Sequence, residues 1–132
     1  MTTYGERRNQ VDPFDIHTPQ ALVSITIAAT STTLYSVTVG NTAKITKIFA
    51  IARGAASSIL RIGRTSAGFV QIFPDIFLPA GITVILSEDD LPGYWFREYN
   101  DSATDIIGQA SVAAVAPNDV QVFVEVIEKG LG

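Results

Sequence analysis

The chain has no cysteine, one histidine, one methionine and one tryptophan in 132 residues. Without cysteine there is no disulfide, no thiolate metal site and no thiol nucleophile. The single histidine, His17, sits between Ile16 and Thr18 in a proline-bearing segment. A nucleophilic triad uses histidine as its base; at this position His17 reads as a contact residue, not a catalyst. Positive charge is also scarce: nine Lys and Arg against thirteen Asp and Glu leave a net −4. A duplex phosphate backbone asks for the opposite balance, so nucleic acid is not an expected partner.

No apolar run reaches the roughly 18 residues that a membrane-spanning helix needs, and Met1 to Arg8 lack the apolar core of a signal peptide. The expectation is a protein made in a cytosol, with no membrane partner. Gly63-Arg64-Thr65-Ser66-Ala67-Gly68 lacks the lysine and the following helix of a phosphate-binding loop. No D-x-[DN]-x-[DN]-G calcium loop occurs either. Neither cofactor nor metal is expected, and no catalytic set stands out. Glu88, Asp89 and Asp90, with Asp101 and Asp105, are the one dense supply of carboxylates, and adjacent acids on a loop are usually solvated.

What the chain has in quantity is alternation. Hydrophobic residues are 47% and charged residues 17%, enough for one well-buried core at this length. Val23, Ile25 and Ile27 alternate with Ser24 and Thr26, the two-residue period of a half-buried strand. Further strands are predicted over 32–37, 42–53, 58–65, 69–78 with an interruption at Pro74, 82–86, 106–115 and 120–127. The 42–53 strand is apolar on both faces, so it is predicted to be central or bulged near Lys47. In 58–65, Leu60 and Ile62 are predicted inward, with Arg61 and Arg64 on the outer face or end. With Gly, Pro and Asn turns between strands and no amphipathic helix, the fold class is all-β. An antiparallel β-sandwich of jelly-roll type is expected over 21–132, preceded by an extended, unpacked N-terminal arm over 1–20.

The last strand has an inward row of Val120, Val122, Val124 and Val126. Its other face reads Gln121, Phe123, Glu125 and Ile127, more apolar than a solvated face needs. A loop of the same chain or a subunit interface would cover Phe123 and Ile127. Charge is divided too. Residues 41–74 hold Lys44, Lys47, Arg53, Arg61 and Arg64 and no acid, whereas 75–132 hold ten acids against Arg97 and Lys129. These charges either pair within one subunit or join neighbours in a ring, Lys44, Arg61 and Arg64 of one copy facing Glu88, Asp89 and Asp90 of the next; a homotrimer would satisfy the ring. The segment 92–100 places Tyr94, Trp95, Phe96 and Tyr99 close together. It reads as core filling, a subunit contact, or a carbohydrate site in which Tyr94, Trp95 and Tyr99 stack on sugar rings.

Thr32-Thr33-Leu34-Tyr35-Ser36-Val37-Thr38-Val39-Gly40-Asn41-Thr42-Ala43-Lys44-Ile45-Thr46-Lys47-Ile48 resembles the TLYTVPAGKTAxIxxI opening of small β-sandwich virion proteins of tailed phages, with Thr38 and Val39 in place of Pro and Ala. Leu78-Pro79-Ala80-Gly81-Ile82-Thr83-Val84-Ile85-Leu86, Ile107-Gly108-Gln109-Ala110-Ser111 and Val120 to Val126 extend the resemblance over about residues 32–128. Tyr94 to Asn100 is bulkier than the usual connection. The resemblance implies a non-enzymatic virion protein of the capsid decoration or cement type, commonly a jelly-roll trimer on the shell, assembled in the host cytoplasm. Its partners would be the major capsid protein and further copies of itself. The arm would then be the latch onto the shell, with Tyr4, Arg7, Arg8, Phe14 and Ile16 as contacts. The alternative within the same setting is a tail or fibre module that binds host carbohydrate.

Overall fold

The computed structural model describes residues 15–16, 21–65, 68–97 and 104–130. In chain order the strands are β1 (Asp15–Ile16), β2 (Val23–Ile25), β3 (Thr32–Val37), β4 (Asn41–Ala52), β5 (Ser58–Thr65) and β6 (Phe69–Gln71). Then come β7 (Ile76–Leu78), β8 (Val84–Leu86), β9 (Trp95–Arg97), β10 (Thr104–Ala110) and β11 (Val120–Gly130). The one helical element among the described residues is a single 3₁₀ turn, Glu88–Asp90.

The strands form two antiparallel sheets packed face to face, an all-β sandwich. In the first sheet β11 and β4 pair along their whole lengths; β1 and β2 add to the far edge of β11, and β8 and β9 to the far edge of β4. In the second, β10 lies between β3 and β5, and β6 and β7 complete the edge of β5. The predicted bounds of β3 and β5 match the observed ones, because an alternating run ended by a turn is a local signal. Gly40 supplies such a turn: it enters β4 at φ +86°, a conformation glycine adopts without a Cβ clash. Gly81 does the same at φ +73°, and its N–H donates to the Ala52 carbonyl at 2.7 Å.

β4 is both central and bulged. Glu125 stands opposite Lys47 but Val126 stands opposite Ile45, which leaves Thr46 as the extra residue. The bulge switches the inward parity from Ala43 and Ile45 to Ile48, Ala50 and Ala52, all buried. Thr46 is buried as well, and its hydroxyl donates to the Glu125 carbonyl at 3.2 Å. Between the sheets, the valine row of β11 meets Val37, Leu60, Ile62, Leu78, Phe96 and Ile106. Each of these larger side chains contributes roughly 1.5–3 kcal/mol by leaving water.

The expected unpacked arm is corrected at one place. Asp15 and Ile16 form β1 and pair with Lys129 and Glu128 of β11. Ile16, assigned above as a shell contact, therefore has its backbone on its own chain's sheet. Tyr4, Arg7, Arg8, Phe14 and His17 lie outside the described residues.

Candidate interaction face

The outer face of the first sheet is read row by row across its strands, since opposite residues in an antiparallel pair project to the same side. One row runs Phe123, Phe49, Ile85 through the β11–β4–β8 register. Leu22, one residue before β2, continues the row beyond Phe123. Phe49 and Phe123 meet edge to face at 6.0 Å and are half-buried, whereas Leu22 and Ile85 at the two ends are 57% and 58% exposed. The next row holds Glu125 and Lys47 opposite each other, with the Lys47 ammonium 5.7 Å from the Phe49 ring centre. Beyond the bulge, Ile127, Lys44 and Trp95 share a row, the Lys44 ammonium 5.8 Å from the Trp95 ring. On the other side of the phenylalanine row lie Gln121 and Ile51. The result is an apolar band across four strands with one lysine and one glutamate beside its centre.

The outer face of the second sheet is tied up by its own polar groups. Ser36 donates to Asp105 at 2.8 Å and Thr33 to the other carboxylate oxygen at 3.5 Å. The Gln109 amide donates to Ser31 at 2.9 Å. Asp75 accepts from Arg61 at 3.3 Å and from Gln71 at 2.7 Å. Beside Arg61, β6 crosses over Gly63 so closely that a Cβ there would lie 2.0 Å from the Val70 carbonyl oxygen. Phe77, 58% exposed, stands opposite the half-buried Ile59 on this side.

The charge division resolves largely within the chain. Lys44 pairs with Glu88 at 3.9 Å, Arg61 with Asp75 at 3.3 Å, and Arg53 with the buried Asp119 at 2.9 Å. Three bases of the 41–74 block thus meet acids of the 75–132 block within one chain, the first of the two arrangements expected from the charge division. Asp89 is exposed; Asp90 accepts from the Ser87 N–H at 3.0 Å and closes the 3₁₀ turn. Arg64, expected on the outer face or end of its strand, stands at the end of β5, opposite Ile106 in the inward register and half-buried.

At the same end, Glu128 follows the valine row of β11 inward and is 3% exposed. Its carboxylate accepts from the Tyr35 hydroxyl across the sandwich, from the Thr38 N–H at 2.8 Å and from the Asn41 amide at 2.9 Å. Burial pushes this carboxyl up, but the hydrogen bonds from Tyr35, Asn41 and Thr38 together outweigh it and hold the pKa below the usual carboxylate value. The cluster joins β3, β4 and β11 and is structural.

Tyr94 and Trp95 do not form one stacking platform. Tyr94 turns inward and meets Phe96 edge to face at 4.9 Å, whereas Trp95 faces out, 39% exposed. Tyr99 lies outside the described residues. A cleft of about 310 Å³ opens between the β7 and β8 edges, lined by Phe73, Ile76, Val84, Leu86 and Leu91. The carboxylates at its rim, Asp75 and Asp90, are those already engaged above. Among the described residues no group of three or more His, Asp and Glu could hold a metal ion.

Phe123 and Ile127 are where the sequence placed them, on the outward side of β11. Phe49, Ile51, Ile85 and Leu22 complete the face and were missed as a set. Phe49 and Ile51 did carry a signal, an apolar residue at every second position opposite the inward row of β4. Compared with family models, curated proteins and solved structures, the chain matches none.

Proposed function

We propose that the protein is a non-enzymatic structural protein of a phage virion, a capsid decoration protein that binds the shell from outside and stabilises it. The observation that carries this reading is the apolar outer face of the first sheet, on a sandwich whose other polar clusters are engaged in internal bonds. Such a face is suited to contact with protein. The sequence resemblance supplies the setting. The strand order supports the jelly-roll form that the resemblance implies: with β6 and β7, and β8 and β9, each taken as one broken strand, the orders are β2–β11–β4–β8 and β3–β10–β5–β6. In this reading Tyr4, Arg7, Arg8 and Phe14 precede β1 and reach the major capsid protein, while the sandwich keeps its own fold.

Deleting the coding sequence from the phage genome and heating the particles tests the proposal. Particles lacking the protein are expected to assemble and to release their DNA at a lower temperature than complete ones. Absence of the 14.1 kDa chain from purified wild-type particles overturns it.

A further inference from the structure

We infer that the apolar face of the first sheet is covered by a second copy of this chain, related by a two-fold axis that runs along the strands between β4 and β11. The inference rests on reading that face as a protein contact. A two-fold contact presents the same patch from both sides, so the patch must be complementary to itself. Rotation about an axis parallel to the strands moves nothing along it, so each row stays at its own height while columns exchange. β4 then faces the second copy's β11, and β8 faces the β2 edge.

With that exchange the two central rows fit. Phe49 lies over Phe123 of the second copy and Phe123 over its Phe49; Ile85 lies over Leu22 and Leu22 over Ile85. The most exposed large side chains of the row, at its two ends, thereby meet each other. In the next row Lys47 lies over Glu125 and Glu125 over Lys47, which gives two opposite-charge contacts beside the aromatic centre. Neither residue forms an ion pair among the described residues, in contrast to Lys44, Arg53 and Arg61. Aligned sheets pack about 10 Å apart, rotated by about 30°, which keeps the central rows in register.

A three-fold ring needs two different patches that match. Of the charges that would have made them, Lys44 pairs with Glu88 and Arg61 with Asp75 within the chain, while this single patch matches itself in its central rows. At strand spacings of about 4.8 Å and about 3.3 Å per residue the band covers roughly 500 Å² per copy, below the roughly 800 Å² of a standard interface. The pair is therefore a weak, concentration-dependent one.

Sedimentation equilibrium of the full chain, from about 1 to 500 μM, reads this directly. The expected mass rises from 14.1 kDa toward twice that value. Glu125→Lys and Lys47→Glu each place like charges over one another twice and are expected to weaken association about tenfold. Mixing the two variants restores it, because every contact is again a lysine against a glutamate; a loss caused within one chain is not recovered by mixing. Phe123→Ser, with its fold checked by circular dichroism, provides a variant without charge change and is expected to abolish the dimer. A monomer throughout, a limiting mass of three copies, or no recovery on mixing overturns the two-fold contact. A monomeric chain that is still found in particles refutes the pair and leaves the virion reading standing. A dimeric chain absent from particles refutes the virion reading and leaves the pair standing.

Discussion

The two sheets share one core and finish their outer surfaces in different ways. On the second sheet Asp105, Gln109, Arg61 and Asp75 find partners on neighbouring strands or the connections beside them, and β6 lies against Gly63. On the first, Phe49, Phe123, Ile85 and Leu22 form a row that no described part of the chain covers. Period-two alternation is present on both, so alternation alone does not decide whether a face is finished. The difference lies in what stands at the outward positions: groups that can satisfy one another locally, or apolar area that leaves water only when something covers it.

The sharpest way to break the comparison is at Gly63, where the second sheet closes on itself. Gly63→Ala puts a methyl group into the Val70 backbone and is expected to cost about 3–5 kcal/mol, since backbone must move rather than a side chain. Thermal melting checks it, and an unchanged midpoint would show that β6 is not held against β5 there. The next largest effect is at the end the two sheets share. Glu128→Ala leaves the Tyr35 hydroxyl, the Thr38 N–H and the Asn41 amide without their acceptor, a loss of about 2–3 kcal/mol.

The same carboxylate makes stability depend on pH. Its folded pKa is lowered, so its contribution is full above the ordinary carboxylate value and is lost as pH falls through the lower folded one. Denaturant melts at descending pH should show that decline in the native chain and a shallower one in Glu128→Gln. A matched pair of surface variants then compares the faces themselves. Phe123→Ser costs about 1–2 kcal/mol in folding stability, through its half-buried ring and its contact with Phe49, and Phe77→Ser about 1 kcal/mol or less, but the first should abolish self-association and the second leave it unchanged. Equal effects on association would remove the distinction between the faces. The smallest change is Asp105→Asn, expected to cost about 0.5 kcal/mol because the carboxylate is half-exposed. A loss of several kcal/mol in its melt would mean that the polar network carries the second sheet.

Much of the sandwich was legible along the chain. Thr32–Val37, Ser58–Thr65 and the Val120 to Val126 row announce themselves by a period that each strand carries alone. Gly40 and Gly81 mark their turns for an equally local reason. The bulge near Lys47 showed as a change of parity, but its extra residue, Thr46, is named only by the pairing with β11. Arg64 was expected on the outer face or the end of its strand; it stands at that end, and only its register with Ile106 shows that it turns inward. β1 was invisible, since two residues have no period and gain their strand character from Lys129 and Glu128 more than a hundred positions away.

The same division holds for the candidate face. That β11 has apolar residues on both sides is a property of its own order of side chains, readable from Phe123 and Ile127. That Phe49, Ile85 and Leu22 fall in one row with Phe123, and that Arg61 and Arg53 find Asp75 and Asp119, depends on which strands lie next to each other. Alternation comes from the backbone geometry of each residue and needs no neighbour. Adjacency comes from hydrogen bonds and packing between distant segments, and these settle together when the two sheets close on their core.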